Sequence, residues 1–282
     1  RAILLISVLL FEEKMESNGA KSRLIVGLDI DTLYRAEFFV RLLKDDVGGF
    51  KIGYELALAM LKNIITPKLD ETAITNALTI RRIFKHLKSG PENKKIFWDF
   101  KFHDIMNTVA AASVQMTDLG ATMFSVHASA GEEAIKAAVK NRKDSKVFGV
   151  TVLTSFDNEK CVSIFGNSVN EKVLQFAKTL LDAGADGIIC SPLEVEMLRK
   201  CSEFDRLRIA TPGSRPSWYE KNDQKRVMTP TQAVLAGADL LIISRPILNS
   251  PKEIGNPADA ARRIVEEINE ALAILKERKS SA

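Results

Sequence analysis

Short, nearly all-apolar runs recur along the chain, and each gives way to a stretch whose apolar residues fall at helical spacing. The runs cover Leu24–Asp29, Gly49–Gly53, a stretch from Ile96 to His103, Thr122–Ala128, Lys146–Leu153, Ile188–Ser191, Arg208–Thr211 and Asp239–Ser244. Between them the pattern predicts helices over Thr32–Leu43, Tyr54–Lys62, Glu71–Lys88, Ile105–Leu119, Glu132–Lys140, Val169–Ala183, Leu193–Lys200 and Pro257–Leu275. A shorter helix starts at Thr229 and is closed by Gly237. Pro67, Ser89-Gly90-Pro91 and Gly120 punctuate the pattern where turns and helix stops are needed. Strands apolar on both faces belong to a parallel sheet covered on both sides, and strict alternation with helices means an α/β fold. Eight such units in about 225 residues predict a (β/α)8 TIM barrel. The alternative is a doubly wound open sheet, which usually carries a glycine-rich fingerprint after its first strand. Gly27-Leu-Asp29-Ile-Asp31 has none.

No linker or shift in composition divides the chain, so we expect a single barrel domain over residues 22–278. Arg1 to Phe11 is a short apolar stretch behind one basic residue, too short to span a bilayer. Glu12-Glu13-Lys14 follows it where a signal peptide would carry small residues. We expect residues 1–14 to be an upstream extension outside the fold.

The composition is that of a globular protein, with 46% apolar and 27% charged residues among 282. The net charge of +4 is spread along the chain without a basic block, which argues against a nucleic-acid partner. Cys161, Cys190 and Cys201 show no C-x-x-C spacing and fit a reduced, cytoplasmic protein. The three histidines lack metal-ligand spacing, no cofactor motif is present, and no membrane segment is expected.

The third run is chemically unusual. Side chains alternate across a strand, so Phe97, Asp99, Lys101 and His103 share one face and Trp98, Phe100 and Phe102 the other. Interior-facing charges are rare unless paired. Polar residues also end other strands: Asp29, Lys51, Thr154 with Ser155, Arg215 and Arg245. In a barrel these positions gather on the rim that carries the chemistry. The loops after the last two strands often bind phosphate there. Pro212-Gly213-Ser214-Arg215 and Ser244-Arg245 offer backbone amides and two guanidiniums suited to a phosphate dianion. The polar segment Trp218–Met228, which contains Gln224, is long enough to form a lid over it.

Asp99-Phe-Lys101-Phe-His-Asp104-Ile-Met-Asn-Thr108 fits the signature D-x-K-x-x-D-I-x-x-T, and in this setting the chain resembles the bacterial-type orotidine 5'-phosphate decarboxylases. Leu28-Asp29, Phe50–Gly53, Val126–Ser129, Thr151–Ser155, Thr211–Pro216, Asp223–Pro230 and Arg245–Ile247 extend the resemblance over about Leu24 to Leu272. It implies a carbon–carbon lyase of pyrimidine biosynthesis that forms UMP and CO2 without a cofactor, Lys101 protonating C6. Lys51, Asp99, Lys101 and Asp104 would form an alternating charged array. Asp29 and Lys51 would hold the ribose hydroxyls, and Thr154 would face the pyrimidine. Arg215, Gln224, Arg245 and the Ser244 amide would hold the phosphate. The family's homodimer would share its sites, with Asp104, Ile105 and Thr108 reaching the neighbouring subunit. Two residues depart from the usual pattern: Ser244 stands where glycine is common, and Met106 where proline is common. The alternatives are a metal-dependent sugar-phosphate decarboxylase or aldolase on the same scaffold, and a catalytically silent barrel.

Overall fold

The computed structural model describes residues 19–67, 72–89, 94–219 and 227–281. Eight parallel strands close into a barrel in sequence order, the last pairing with the first. They are β1 (Leu24–Gly27), β2 (Gly49–Ile52), β3 (Lys95–Phe102), β4 (Met123–His127), β5 (Lys146–Val150), β6 (Gly187–Ile189), β7 (Arg208–Pro212) and β8 (Leu240–Ile243). The helices are α1 (Leu33–Leu43), α2 (Tyr54–Ile65), α3 (Ala73–Leu87), α4 (Met106–Asp118), α5 (Glu132–Asn141), α6 (Asn158–Phe165) and α7 (Val169–Asp182). They continue with α8 (Val195–Arg199), α9 (Pro230–Leu235), α10 (Arg245–Leu248) and α11 (Pro257–Ser280). None is long and apolar enough to cross a membrane among the described residues.

Alternation along the strands divides the apolar residues into two cores. Ile25, Phe97, Met123, Phe148, Val150, Ile189, Ala210, Leu240 and Ile242 fill the barrel interior. The other face of each strand packs on the helices, as Val26, Phe50, Phe124, Ile188 and Ile243 do. Serine, threonine and asparagine fix several helix starts: Ser168 for α7, Thr229 for α9 and Asn256 for α11 each form a reciprocal capping box.

The expected (β/α)8 architecture is the one found, with adjustments at the ends of elements. β1 stops at Gly27 and β5 at Val150, so Asp29 and Thr154 stand on loops just beyond their strands. α6 was not predicted. It has Asp157 as its N-cap and Gly166 at its end, but buries only Cys161, so no apolar stripe announces it. The N-terminal extension lies outside the described residues.

At the lower mouth of the barrel, where the strands begin, two carboxylates close the structure. Asp186 pairs with Arg142 and with Lys146 at 3.3 Å, and accepts the Val147 N–H at 2.9 Å. Asp239 pairs with Arg199 at 2.6 Å and Arg208 at 3.3 Å, and accepts the Ile209 N–H at 2.7 Å.

Candidate active site

The upper mouth is shaped by the end of β3. Its pairing with β4 slips between Trp98↔Phe124 and Phe102↔Val126, so β3 carries two residues more than its partner across that interval. A slip of two preserves which face each side chain takes. Trp98, Phe100 and Phe102 accordingly pack outward in an edge-to-face series, with centroids 5.4 and 6.3 Å apart. Phe97 enters the interior core, and Asp99 and Lys101 line the cavity above it. Lys101 has a φ of 47°, a left-handed conformation that non-glycine residues seldom adopt.

Four charged groups form a chain across this floor. Lys51 Nζ lies 2.9 Å from Asp29 Oδ1 and 3.7 Å from Asp99 Oδ2. Lys101 Nζ lies 2.8 Å from the same Asp99 oxygen. Asp99 is 8% exposed, so these ammonium groups are what make its charge tolerable there. Burial alone would raise the Asp29 carboxyl, but the charge and hydrogen bond of Lys51, with a smaller contribution from Lys101, hold it below its ordinary value. Gly27 makes the crossing possible. A Cβ there would meet Ser244 Cβ at 3.1 Å, Lys51 Cε at 3.2 Å and Asp29 Oδ2 at 3.3 Å.

The cavity above the chain has a volume of about 270 Å³. Its other walls include Thr154, Pro212, Gly213, Arg215, Ser244 and Arg245, so the loops after β7 and β8 bring both arginines to the cavity that holds the lysines. Gly213 takes a φ of 89°, which lets the β7 loop turn. The backbone N–H of Arg215 donates to the Met228 carbonyl at 2.9 Å, and residues 220–226, most of the expected lid, lie outside the described residues. Trp218 is fixed to α11 through its Nε1, which donates to Glu267 at 3.1 Å. The Ser244 hydroxyl is buried beside Asp29 and helps to hold its charge, without a hydrogen bond of ordinary length and angle.

The twelve catalytic and binding residues singled out in the sequence are not all gathered in one place. Asp29, Lys51, Asp99, Lys101, Thr154, Arg215, Ser244 and Arg245 line the cavity. Asp104, Ile105 and Thr108 do not: they are exposed on the turn and first turn of α4, and Asp104 accepts the Ile105 N–H at 2.7 Å. The charged array within one chain therefore runs Asp29, Lys51, Asp99, Lys101, without Asp104. Gln224 lies outside the described residues.

Sequence reasoning also passed over neighbours of the array. Ser125, fully buried on β4, donates to Asp99 Oδ1 at 2.8 Å. The Tyr54 hydroxyl donates to the Phe100 carbonyl, and its ring stacks on Phe100 at 5.4 Å, tying the start of α2 to β3. Burial and the nearby Asp99 charge raise the Tyr54 hydroxyl above its ordinary value. A lone serine inside the apolar run Met123-Phe-Ser-Val126 was the available signal for Ser125.

A sequence model of the "Orotidine 5'-phosphate decarboxylase / HUMPS family" matches residues 22–264. The chain is 37% identical over 263 residues to the orotidine 5'-phosphate decarboxylase of Geotalea daltonii, covering 90% of this chain and 99% of that protein. It is 37% identical over 262 residues to the enzyme of the same name from Geobacter sulfurreducens, with the same coverage. Among solved structures, the orotidine 5'-phosphate decarboxylase of Lactobacillus acidophilus superposes with a TM-score of 0.67 at 28% identity, over 87% of this chain and 98% of that one. A barrel whose upper mouth carries the D-x-K-x-x-D segment, matched along nearly its whole length by these proteins, belongs to the orotidine 5'-phosphate decarboxylase/HUMPS family.

Proposed function

We propose that this chain decarboxylates orotidine 5'-phosphate to UMP and CO2 in pyrimidine biosynthesis, without a cofactor, and that Lys101 delivers the proton. The observation that carries the reading is the Lys101 ammonium 2.8 Å from Asp99 on the floor of a cavity that two arginines also line. When the bond from C6 to the carboxylate breaks, its electron pair stays on C6 in an sp2 orbital outside the ring's π system. The ring offers that pair no delocalisation, so the site must stabilise it by fixed charge and then protonate it. In the proposed step an N–H proton of Lys101 passes to C6 as CO2 leaves, and the neutral amine regains a proton from solvent. Asp99 fixes the direction of the ammonium. Its like charge also opposes the substrate carboxylate, an opposition that falls as CO2 departs.

The remaining residues then have positions to fill. Arg215 and Arg245 take the 5'-phosphate, with Gln224 and the Ser244 amide, and the Ser244 hydroxyl is a further donor. Asp29 and Lys51 take the ribose hydroxyls, and Thr154 faces the pyrimidine. Binding at the phosphate, remote from C6, orients the reacting centre. Asp104, Ile105 and Thr108 serve the site of a second copy in a homodimer. The exposed apolar side chains of Ile105 and Met106, 69% and 50% accessible, support that part.

The test is turnover of orotidine 5'-phosphate, followed by ultraviolet absorbance, with and without EDTA. Turnover indifferent to EDTA is expected. No turnover would reject the reading, and loss of activity in EDTA would favour a metal-dependent relative. Sedimentation gives the dimer arm: a monomeric variant with full activity would reject shared sites.

A further inference from the structure

A buried hydroxyl in a strand ordinarily satisfies itself on backbone groups of its own sheet or on water. Ser125 does so for only one of its two bonds. It sits on β4 with no exposure, and both of its hydrogen bonds go to the reacting end of β3. Its Oγ donates to Asp99 Oδ1 at 2.8 Å and accepts the backbone N–H of Lys101 at 2.8 Å. A hydroxyl has one proton to give and lone pairs to accept with, so this geometry uses it fully in the donor sense.

Two consequences follow from where these bonds fall. Asp99 is divided between two sets of partners, with Oδ1 held by Ser125 and Oδ2 left to Lys101 at 2.8 Å and Lys51 at 3.7 Å. A carboxylate fixed at one oxygen cannot swing about its own bond without breaking that contact, so Oδ2 presents a fixed target to both ammonium groups. The second consequence concerns the backbone. The β3–β4 ladder is interrupted between Trp98↔Phe124 and Phe102↔Val126, and inside that gap the Lys101 N–H is taken by a side chain. Lys101 is there in the left-handed region at φ 47°, a conformation unfavourable for a residue other than glycine. The Ser125 hydroxyl is the acceptor that this turn's N–H finds.

We propose that Ser125 is a positioning residue for the Asp99–Lys101 pair: one hydroxyl orients the carboxylate and holds the backbone from which the lysine projects. The proposal rests on the decarboxylase reading for its kinetic consequence, and on Lys101 itself for its structural one. Ser125 touches neither the cavity nor, by this reading, the substrate.

The experiment compares the full-length chain with Ser125→Ala. kcat for orotidine 5'-phosphate is expected to fall about 10- to 100-fold, as for loss of one hydrogen bond to a charged group, while KM changes less than about threefold. In the substrate-free protein, hydrogen exchange of the Lys101 amide, read by NMR, is expected to quicken at least about tenfold. If Ser125→Ala does not fold, Ser125→Cys carries the same expectations, because the thiol keeps the shape but is a weak donor. A variant with wild-type kcat, or one whose loss lies in KM alone, overturns the proposal, as does unchanged Lys101 exchange. Should the unaltered chain fail to decarboxylate the nucleotide, the function reading falls, and the exchange measurement still decides whether Ser125 holds Lys101.

Discussion

The two mouths of this barrel are built from the same parts and do different things. At the lower mouth Asp186 and Asp239 each lie between two cations and accept a backbone N–H from a strand. At the upper mouth Asp99 also lies between two cations and accepts a third donor, the Ser125 hydroxyl. The difference is in what remains. The lower carboxylates join neighbouring strands to each other. The upper cations face a cavity of about 270 Å³, against about 60 Å³ beside Lys146 and Arg208, so their charge is directed at whatever enters. A carboxylate flanked by cations is therefore no sign of chemistry by itself. The position along the strand decides, because one end of a parallel barrel is closed by packing and the other is lined by loops.

The two mouths should differ most at Lys101. Lys101→Ala is expected to lower decarboxylation by at least about 10⁴-fold, the scale of a lost proton donor together with lost fixed charge. UMP binding, read by calorimetry, should persist, since Arg215 and Arg245, the proposed phosphate ligands, are untouched. Substantial residual turnover would remove Lys101 as the main acid. Next in size is Arg245→Ala, expected to cost about 3 to 5 kcal/mol of transition-state binding in kcat/KM through lost charge-assisted bonds. An unchanged kcat/KM would refute the phosphate assignment.

The upper mouth was largely legible before the fold was known, and the lower mouth was not. Asp99 and Lys101 stand out because a charge on an apolar strand must have an unusual environment, and the eightfold alternation says which end of the strand they occupy. Asp186 and Asp239 look like ordinary residues between a helix and a strand, since nothing local says that Arg142 or Arg199 will come to meet them. Ser125 was hidden for a similar reason: its partners are 24 and 26 positions away, across a register slip that no periodicity encodes. α6 was hidden because it buries too little to show a stripe. Asp104, Ile105 and Thr108 fall in the legible motif, yet a single chain leaves them at the surface.

At the lower mouth the expectation reverses. Asp239→Ala leaves two guanidiniums and the Ile209 N–H without the acceptor they share. A partly buried cluster of this kind is expected to lose about 2 to 3 kcal/mol of stability, less than a wholly buried pair. Denaturant unfolding measures it, and kcat per folded molecule should stay within about twofold of wild type, the sites being independent. A large fall in kcat with unchanged stability would undo the division between the two mouths.

The smallest effect separates the mouths by pH. His127, at the end of β4, stacks on His103 with centroids 5.5 Å apart, and its Nδ1 lies 2.6 Å from Ser129 Oγ and 3.3 Å from the Ser129 N–H. The backbone N–H can only donate, so Nδ1 is the acceptor and the neutral ring carries its proton on Nε2. Burial, with the charges of His103 and Lys101 adding, lowers the His127 pKa to about 4. The ordinary value, which the unfolded chain should show, is 6.5. Between these two values the unfolded chain binds the extra proton and the folded one does not, so stability falls with falling pH through that window. The contribution is fully present above pH 6.5 and lost on approach to pH 4. Asp29, held below 3.8, loses its contribution only at lower pH, so the two can be told apart. Neither lower cluster contains a histidine, so the loss should belong to the upper mouth alone. His127→Gln should flatten the fall in denaturant midpoint between pH 6.5 and 4, and the wild-type imidazole should titrate by NMR near 4. Titration near 6.5 would mean that the proton is taken up without disturbing Ser129, and the pH difference between the mouths would disappear.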